Sequence, residues 1–153
     1  MLFRDMPIKY LPLPLIACFA TFAFGGLFIP GEWYAALNKA PWSPPNIAFP
    51  IVWAILYVFI ALSGWQVLSS DKQSLKQLWG TQLVVNAVWS WAFFGQHWVT
   101  FGLIIILILI CLITALICLS IKKKLIMTAY LSLPYLAWLL LAASLNGYIL
   151  INN

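Results

Sequence analysis

Charge is what this sequence has least of: Asp, Glu, Lys and Arg make up 7% of its 153 residues, where soluble domains carry about a quarter. Its acids are Asp5, Glu32 and Asp71, and its one histidine is His97. So few titratable groups supply no paired carboxylates and no Ser/His/Asp set, and no glycine-rich phosphate loop is present. Conventional hydrolysis and phosphoryl transfer are therefore excluded. The three cysteines, Cys18, Cys111 and Cys118, lie in apolar stretches without C-x-x-C or histidine spacing, so they read as small hydrophobes and predict neither a metal nor a structural disulfide. Eight Lys and Arg give a net charge of +5. They sit between apolar runs and form no basic face with interleaved aromatics, so no nucleic-acid partner is expected.

Apolar residues fill the space that charge leaves. The chain is 65% hydrophobic with a mean hydropathy of +1.01, which predicts an all-α integral membrane protein with the lipid bilayer as its solvent. The charges divide residues 1–153 into five spans of a single domain. Residues 11–30 are uncharged and long enough to cross. Pro41, Pro44, Pro45 and Pro50 crowd the start of the next run, so a helix is expected over 46–68, after a loop. The uncharged stretch 77–121 breaks at Gly95-Gln96-His97 into spans 78–94 and 99–121. Beyond Lys122-Lys123-Lys124, residues 125–151 make the fifth. Leu15-Ile16-Ala17-Cys18 resembles a lipoprotein cleavage box, but the chain stays apolar for twelve residues past Cys18, so a first transmembrane helix is expected there.

Alternate sides of these spans carry unequal positive charge. One side holds Arg4, Lys9, Lys72, Lys76, Lys122, Lys123 and Lys124, and the other only Lys39. The positive-inside rule then predicts a cytoplasmic N-terminus, with the C-terminus and the loop 31–45 external.

Nine tryptophans are the strongest functional signal. Trp33, Trp42, Trp65, Trp79 and Trp98 fall at or near expected helix ends, where an interfacial belt explains them. Trp53, Trp89, Trp91 and Trp138 lie deeper, where an indole N–H needs a partner that hydrocarbon cannot give. Helical spacing puts Phe49, Trp53 and Tyr57 on one face, and Tyr135, Trp138, Ala142 and Asn146 on another. Asn86, Ser90, Phe93 and His97 form a polar stripe that either bonds neighbouring helices or lines a cavity. At 1.5 Å per residue, Trp53, Trp89 and Asn146 lie roughly 7–11 Å from the outer helix ends. A cavity open to the outer half, lidded by the proline-rich loop, follows. At the end of its helix, His97 reads as a solvated loop residue rather than a haem ligand or pH switch.

Four motifs carry a resemblance that covers nearly the whole chain. They are Trp33-Tyr34-Ala35-Ala36-Leu37-Asn38-Lys39 with Pro41-Trp42-Ser43-Pro44-Pro45; Phe49-Pro50-Ile51-Val52-Trp53 with Leu56-Tyr57; Asn86-Ala87-Val88-Trp89-Ser90 with Phe93-Phe94; and Pro134-Tyr135-Leu136-Ala137-Trp138 with Ala142 and Leu145-Asn146. In this order they resemble the tryptophan-rich sensory protein and translocator protein family. The resemblance implies a five-transmembrane-helix bundle, commonly a homodimer, that binds protoporphyrin IX or haem-like tetrapyrroles and isoquinoline- or benzodiazepine-type ligands, with no required cofactor. Carried over by residue, the ligand-binding set is Tyr34, Pro44, Trp53, Tyr57, Phe93, Trp138 and Ala142, joined by Asn86, His97 and Asn146. Were the family's light-dependent porphyrin breakdown present, Trp53 and Trp138 would be its redox-active side chains. A receptor or sensor, a photochemical enzyme and a porphyrin or amphipath transporter all remain open. The chain departs from the family at Lys39-Ala40-Pro41-Trp42, where a proline is shifted by one, and at Tyr148, which no basic residue follows. The absent cholesterol motif and basic tail argue for a bacterial plasma-membrane protein without a role in cholesterol import.

Overall fold

The computed structural model describes residues 6–153, all of its regular structure helical. Arg4 and Asp5 lie outside the described residues. A 3₁₀ turn, Ile8–Tyr10, leads into α1, Pro12–Gly25, which opens with proline in its first turn, where no backbone donor is missed. A short α2, Glu32–Ala36, follows. The long helices are α3, Ala48–Ser69; α4, Gln73–Ser90; α5, Val99–Lys122; and α6, Ile126–Asn152. Between α4 and α5 the residues Trp91–Gly95 form a π-helical turn.

Neighbouring helices close into a ring: α1 packs on α3 and α4, α3 on α6, α6 on α5, and α5 on α4. A further contact between α3 and α4 runs across the ring and divides it. Leu109, Ile113, Leu116, Leu139 and Tyr135 fill the α4–α5–α6 side, each almost fully buried. By contrast α1 keeps Leu13, Ile16 and Phe19 exposed on its outer face. Small residues set the closest approaches: a Cβ at Gly25 would stand 3.2 Å from Ser90 Oγ, so α1 meets α4 there.

The stretch Ile8–Gly25 and the helices α3, α5 and α6 are long and apolar enough to cross a membrane. Helix α4 falls short of that measure because it carries Lys76, Gln77, Gln82 and Asn86. Two expectations shift. The first helix ends at Gly25 rather than Pro30, since Gly26 to Gly31 turn away from it. The third ends as α-helix at Ser90, and the π-turn takes up the remainder.

The interfacial belt is smaller than the sequence predicts. Trp79 is buried, its indole donating to the Ile60 carbonyl at 2.9 Å, and Trp65 is buried and donates to the Pro7 carbonyl at 3.1 Å. Gly64 on α3 leaves the hollow into which the Trp79 ring fits. Trp42 and Trp98 are exposed and keep the belt reading.

Hydrogen bonds join the helix ends in two groups. At one, Trp65 reaches Pro7, and Gln66 Oε1 accepts from both the N–H and the hydroxyl of Thr128, satisfying a donor that the start of α6 would leave free. Lys9, Lys72, Lys76 and Lys122–Lys124 all belong to this end, and Lys72 pairs with Asp71. At the other, Asn38 and Asn153 exchange hydrogen bonds of 2.8 and 3.2 Å, and Lys39 is the one lysine.

Candidate functional site

Trp53 stands at the centre of the aromatic lining. Its ring lies 5.7 Å from Tyr57, 6.0 Å from Tyr135 and 6.4 Å from Trp89. Phe93 stacks on Trp89 at 5.5 Å with 9° between the planes, and Phe49 meets Trp138 edge-on at 5.6 Å. The four-residue spacing of Phe49, Trp53 and Tyr57 puts all three on one side of α3. The π-turn helps position Phe93: the wider coil draws Gln96 N–H to the Trp91 carbonyl.

Two adjoining cavities flank this lining. The larger, about 500 Å³, lies between the end of α1, the start of α3 and the end of α4, where Phe22, Gly26 and Phe28 face Phe49, Trp53 and Trp89. The inner one holds only about 40 Å³, among α3 to α6, with Trp138, Ala142 and Asn146 on its far side. Tyr34, Phe49, Trp53, Asn86, Trp89 and Phe94 belong to both. No Lys, Arg, His, Asp or Glu lines either, so charge plays no part in their chemistry.

Polar atoms in these walls fall into two kinds. Asn86, 2% exposed, donates its amide to the Tyr135 hydroxyl at 2.8 Å and ties α4 to α6. Asn146, 3% exposed, has no hydrogen-bond partner at either amide atom, and neither does the buried Trp89 indole N–H.

The end of the site nearest Lys39 is covered by the segment after α1. Tyr34 is buried against Phe93 and Phe94, with ring centroids at 6.3 and 5.5 Å, and Lys39 Nζ stands 4.9 Å from its ring. Burial pushes the Tyr34 phenol above its ordinary pKa. Trp42 donates to Ser144 Oγ at 3.2 Å and packs edge-on against Tyr148. Together with the Asn38–Asn153 pair, these contacts fasten the covering segment to the end of α6.

Comparison with known proteins meets this geometry directly. The TspO/MBR family model matches residues 13–151. This chain belongs to the TspO/MBR family. It is 32% identical over 134 residues to the tryptophan-rich sensory protein of Cereibacter sphaeroides, covering 86% of this chain and 84% of that protein. Protein CrtK of Rhodobacter capsulatus is 31% identical over 146 residues, covering 92% and 91%. The human translocator protein is 30% identical over 142 residues, covering 87% and 81%. As a TspO/MBR protein with several long apolar helices, the chain is a membrane protein with bacterial relatives.

Within this TspO/MBR chain the residues singled out by sequence separate by place. Tyr34, Trp53 and Asn86 line both cavities; Phe93, Trp138, Ala142 and Asn146 line the inner one alone; Tyr57 lines the larger one alone. Pro44 is half-buried and lines neither. His97 is exposed, takes a left-handed backbone with φ of 60°, and stacks on Trp33 at 4.1 Å, outside both linings. The site set named from sequence omitted Trp89 and Phe49, which wall both cavities, and Phe22 of α1 with Gly26 and Phe28 of the turn after it. Depth already marked Trp89 and periodicity Phe49; nothing in the α1 sequence marked its end as a wall.

Proposed function

We propose that this protein is a membrane receptor or sensor that binds tetrapyrroles such as protoporphyrin IX in the aromatic cavity beside α1. The observation that carries this reading is the 500 Å³ space walled by Phe49, Trp53, Tyr57 and Trp89 and free of charged residues. Its volume falls in the range of about 300–1,000 Å³ typical of small-molecule sites, and flat indole faces suit a large flat π-system. The names of the relatives, sensory and translocator proteins, support the same direction.

Five helices cross the bilayer in this reading. Residues 73–95, comprising α4 and its π-turn, number 23 and reach about 34 Å at 1.5 Å per residue. Gln82 and Asn86 turn inward and are buried, so these two polar side chains in the middle of α4 do not face lipid, while Lys76 and Gln77 lie in its first turns at the basic end. The basic end lies in the cytoplasm and the lidded end outside, in a bacterial plasma membrane. A homodimer, with isoquinoline- or benzodiazepine-type molecules as competing ligands, completes the proposal.

Dark titration of the purified protein with protoporphyrin IX, followed by tryptophan quenching, tests it. Saturable quenching in the parent, strongly weakened in Trp53→Phe/Trp138→Phe, is expected. A parent without saturable quenching would reject the reading. One observation favours a second, photochemical reading: Trp53, Trp89 and Tyr135 form a chain of oxidisable rings beside the cavity. Under light and oxygen, bound porphyrin should then bleach faster than porphyrin in detergent alone; equal rates would eliminate it.

A further inference from the structure

Six buried side-chain atoms among the described residues lack a hydrogen-bond partner, and three of them, Trp89 Nε1 and the Nδ2 and Oδ1 of Asn146, belong to two residues that line the 40 Å³ inner cavity. Leaving such a group unsatisfied costs about 1–3 kcal/mol. The fold does not do so for its other indoles at helix contacts: Trp42, Trp65 and Trp79 donate to Ser144, Pro7 and Ile60, and the neighbouring Asn86 donates to Tyr135. The orphaned set comprises two donors and one acceptor. The amide of Asn146 by itself matches a group that carries a carbonyl beside an N–H or O–H, through two antiparallel hydrogen bonds, with the Trp89 N–H free for a further lone pair of that carbonyl.

Size and charge narrow the class. At about 10–15 Å³ per water, a 40 Å³ cavity has room for about three non-hydrogen atoms beyond the wall, the size of a carboxamide or carboxyl group and far below that of a ring system. No cation lines it; the lysine near this end, Lys39, lies over Tyr34 and outside both linings. An ionised carboxylate would be buried without a counter-charge, which is strongly unfavourable.

Resting on the tetrapyrrole reading above, we infer that the Asn146 amide and the Trp89 indole N–H form a specificity clamp for one neutral substituent of the ligand. The substituent is an amide, lactam or protonated carboxyl edge that enters the inner cavity while the ring stays in the larger one.

The test compares protoporphyrin IX bis-amide, whose substituents carry both carbonyl and N–H, with its dimethyl ester, which lacks the donor. Dissociation constants are measured for the parent, Asn146→Leu and Trp89→Phe in the same detergent. Each hydrogen bond contributes about 1 kcal/mol net, close to a fivefold effect. The parent should therefore bind the bis-amide about fivefold more tightly than the ester. That ratio should fall to one in Asn146→Leu, and Trp89→Phe should weaken both ligands. The same ratio in Asn146→Leu as in the parent, or no preference in the parent, would overturn the clamp while leaving tetrapyrrole binding in place. A parent that binds neither porphyrin rejects the functional reading and the clamp with it. Thermal unfolding without ligand supplies an independent check. Because the Asn146 amide has no partner within the protein, Asn146→Leu should unfold no lower than the parent; a drop matching that of Asn86→Leu would contradict the clamp.

Discussion

Adding one methyl group at Gly64 probes the closest approach at any glycine of the described residues. A Cβ there would stand 2.3 and 2.4 Å from Cζ2 and Cε2 of Trp79 and 2.8 Å from its Nε1. Carbon atoms rest about 3.5–4.0 Å apart, so the indole must withdraw by roughly 1.2 Å or more. Trp79 is 5% exposed, and a shift of that size along its bond to Ile60 O, now 2.9 Å, would stretch it beyond hydrogen-bonding range. Overpacking costs about 1–3 kcal/mol and a stranded buried N–H about 1–3 more, while alanine in place of a helical glycine returns about 1. Gly64→Ala should therefore lose about 1–5 kcal/mol. Gly80 on α4 provides the control, since nothing lies within 4 Å of a Cβ placed there; Gly80→Ala should be neutral or stabilising by up to about 1 kcal/mol. Unfolding of both variants in one detergent, by heat or by titration with a denaturing detergent, reads the difference. Adding Trp79→Phe to Gly64→Ala should recover part of the loss, because the two substitutions share one contact. A Gly64→Ala protein as stable as Gly80→Ala would refute the placement of Trp79 inside the bundle.

Two further outcomes follow from the same structure. Asn86→Leu strands the buried Tyr135 hydroxyl and should cost about 1–3 kcal/mol, while Asn86→Leu/Tyr135→Phe should cost less than the sum of the single changes, both measured by unfolding in detergent. Trp42→Phe/Asn153→Ala removes the exposed bonds that hold the covering segment to α6; global stability should change by less than about 1 kcal/mol, yet amide exchange over residues 37–47 should quicken, as local opening is read by hydrogen exchange.

Much of the helical framework was legible because charge and proline punctuate this chain: Lys72, Lys122–Lys124 and Pro41 to Pro50 stand at or beside helix boundaries. The turn of α2 and the end of α1 at Gly25 were not, since apolar residues continue through Phe28 with no breaker beyond the glycines themselves. Periodicity placed Phe49, Trp53 and Tyr57 on one face but says nothing of what stands opposite. Trp138 and Ala142 share a face as their spacing requires, yet the space before them is nearly filled, because Gly102 on α5 lets Phe93 and Asn146 close in. Trp65 and Trp79 read as interfacial from their position near helix ends; their burial depends on Pro7 and Gly64, residues far away in sequence. Contacts of that kind become visible only when helices are paired.

A ligand held in the cavity beside α1 should be displaced when that cavity is filled from the α1 side, a change that replaces no aromatic wall residue. Ala23 lines the larger cavity and not the inner one. Protoporphyrin IX affinity in the dark, measured for the parent and for Ala23→Trp, should fall at least about tenfold in the plugged variant while its unfolding stays within about 1 kcal/mol of the parent. Unchanged affinity in a folded Ala23→Trp protein would contradict that placement of the ligand.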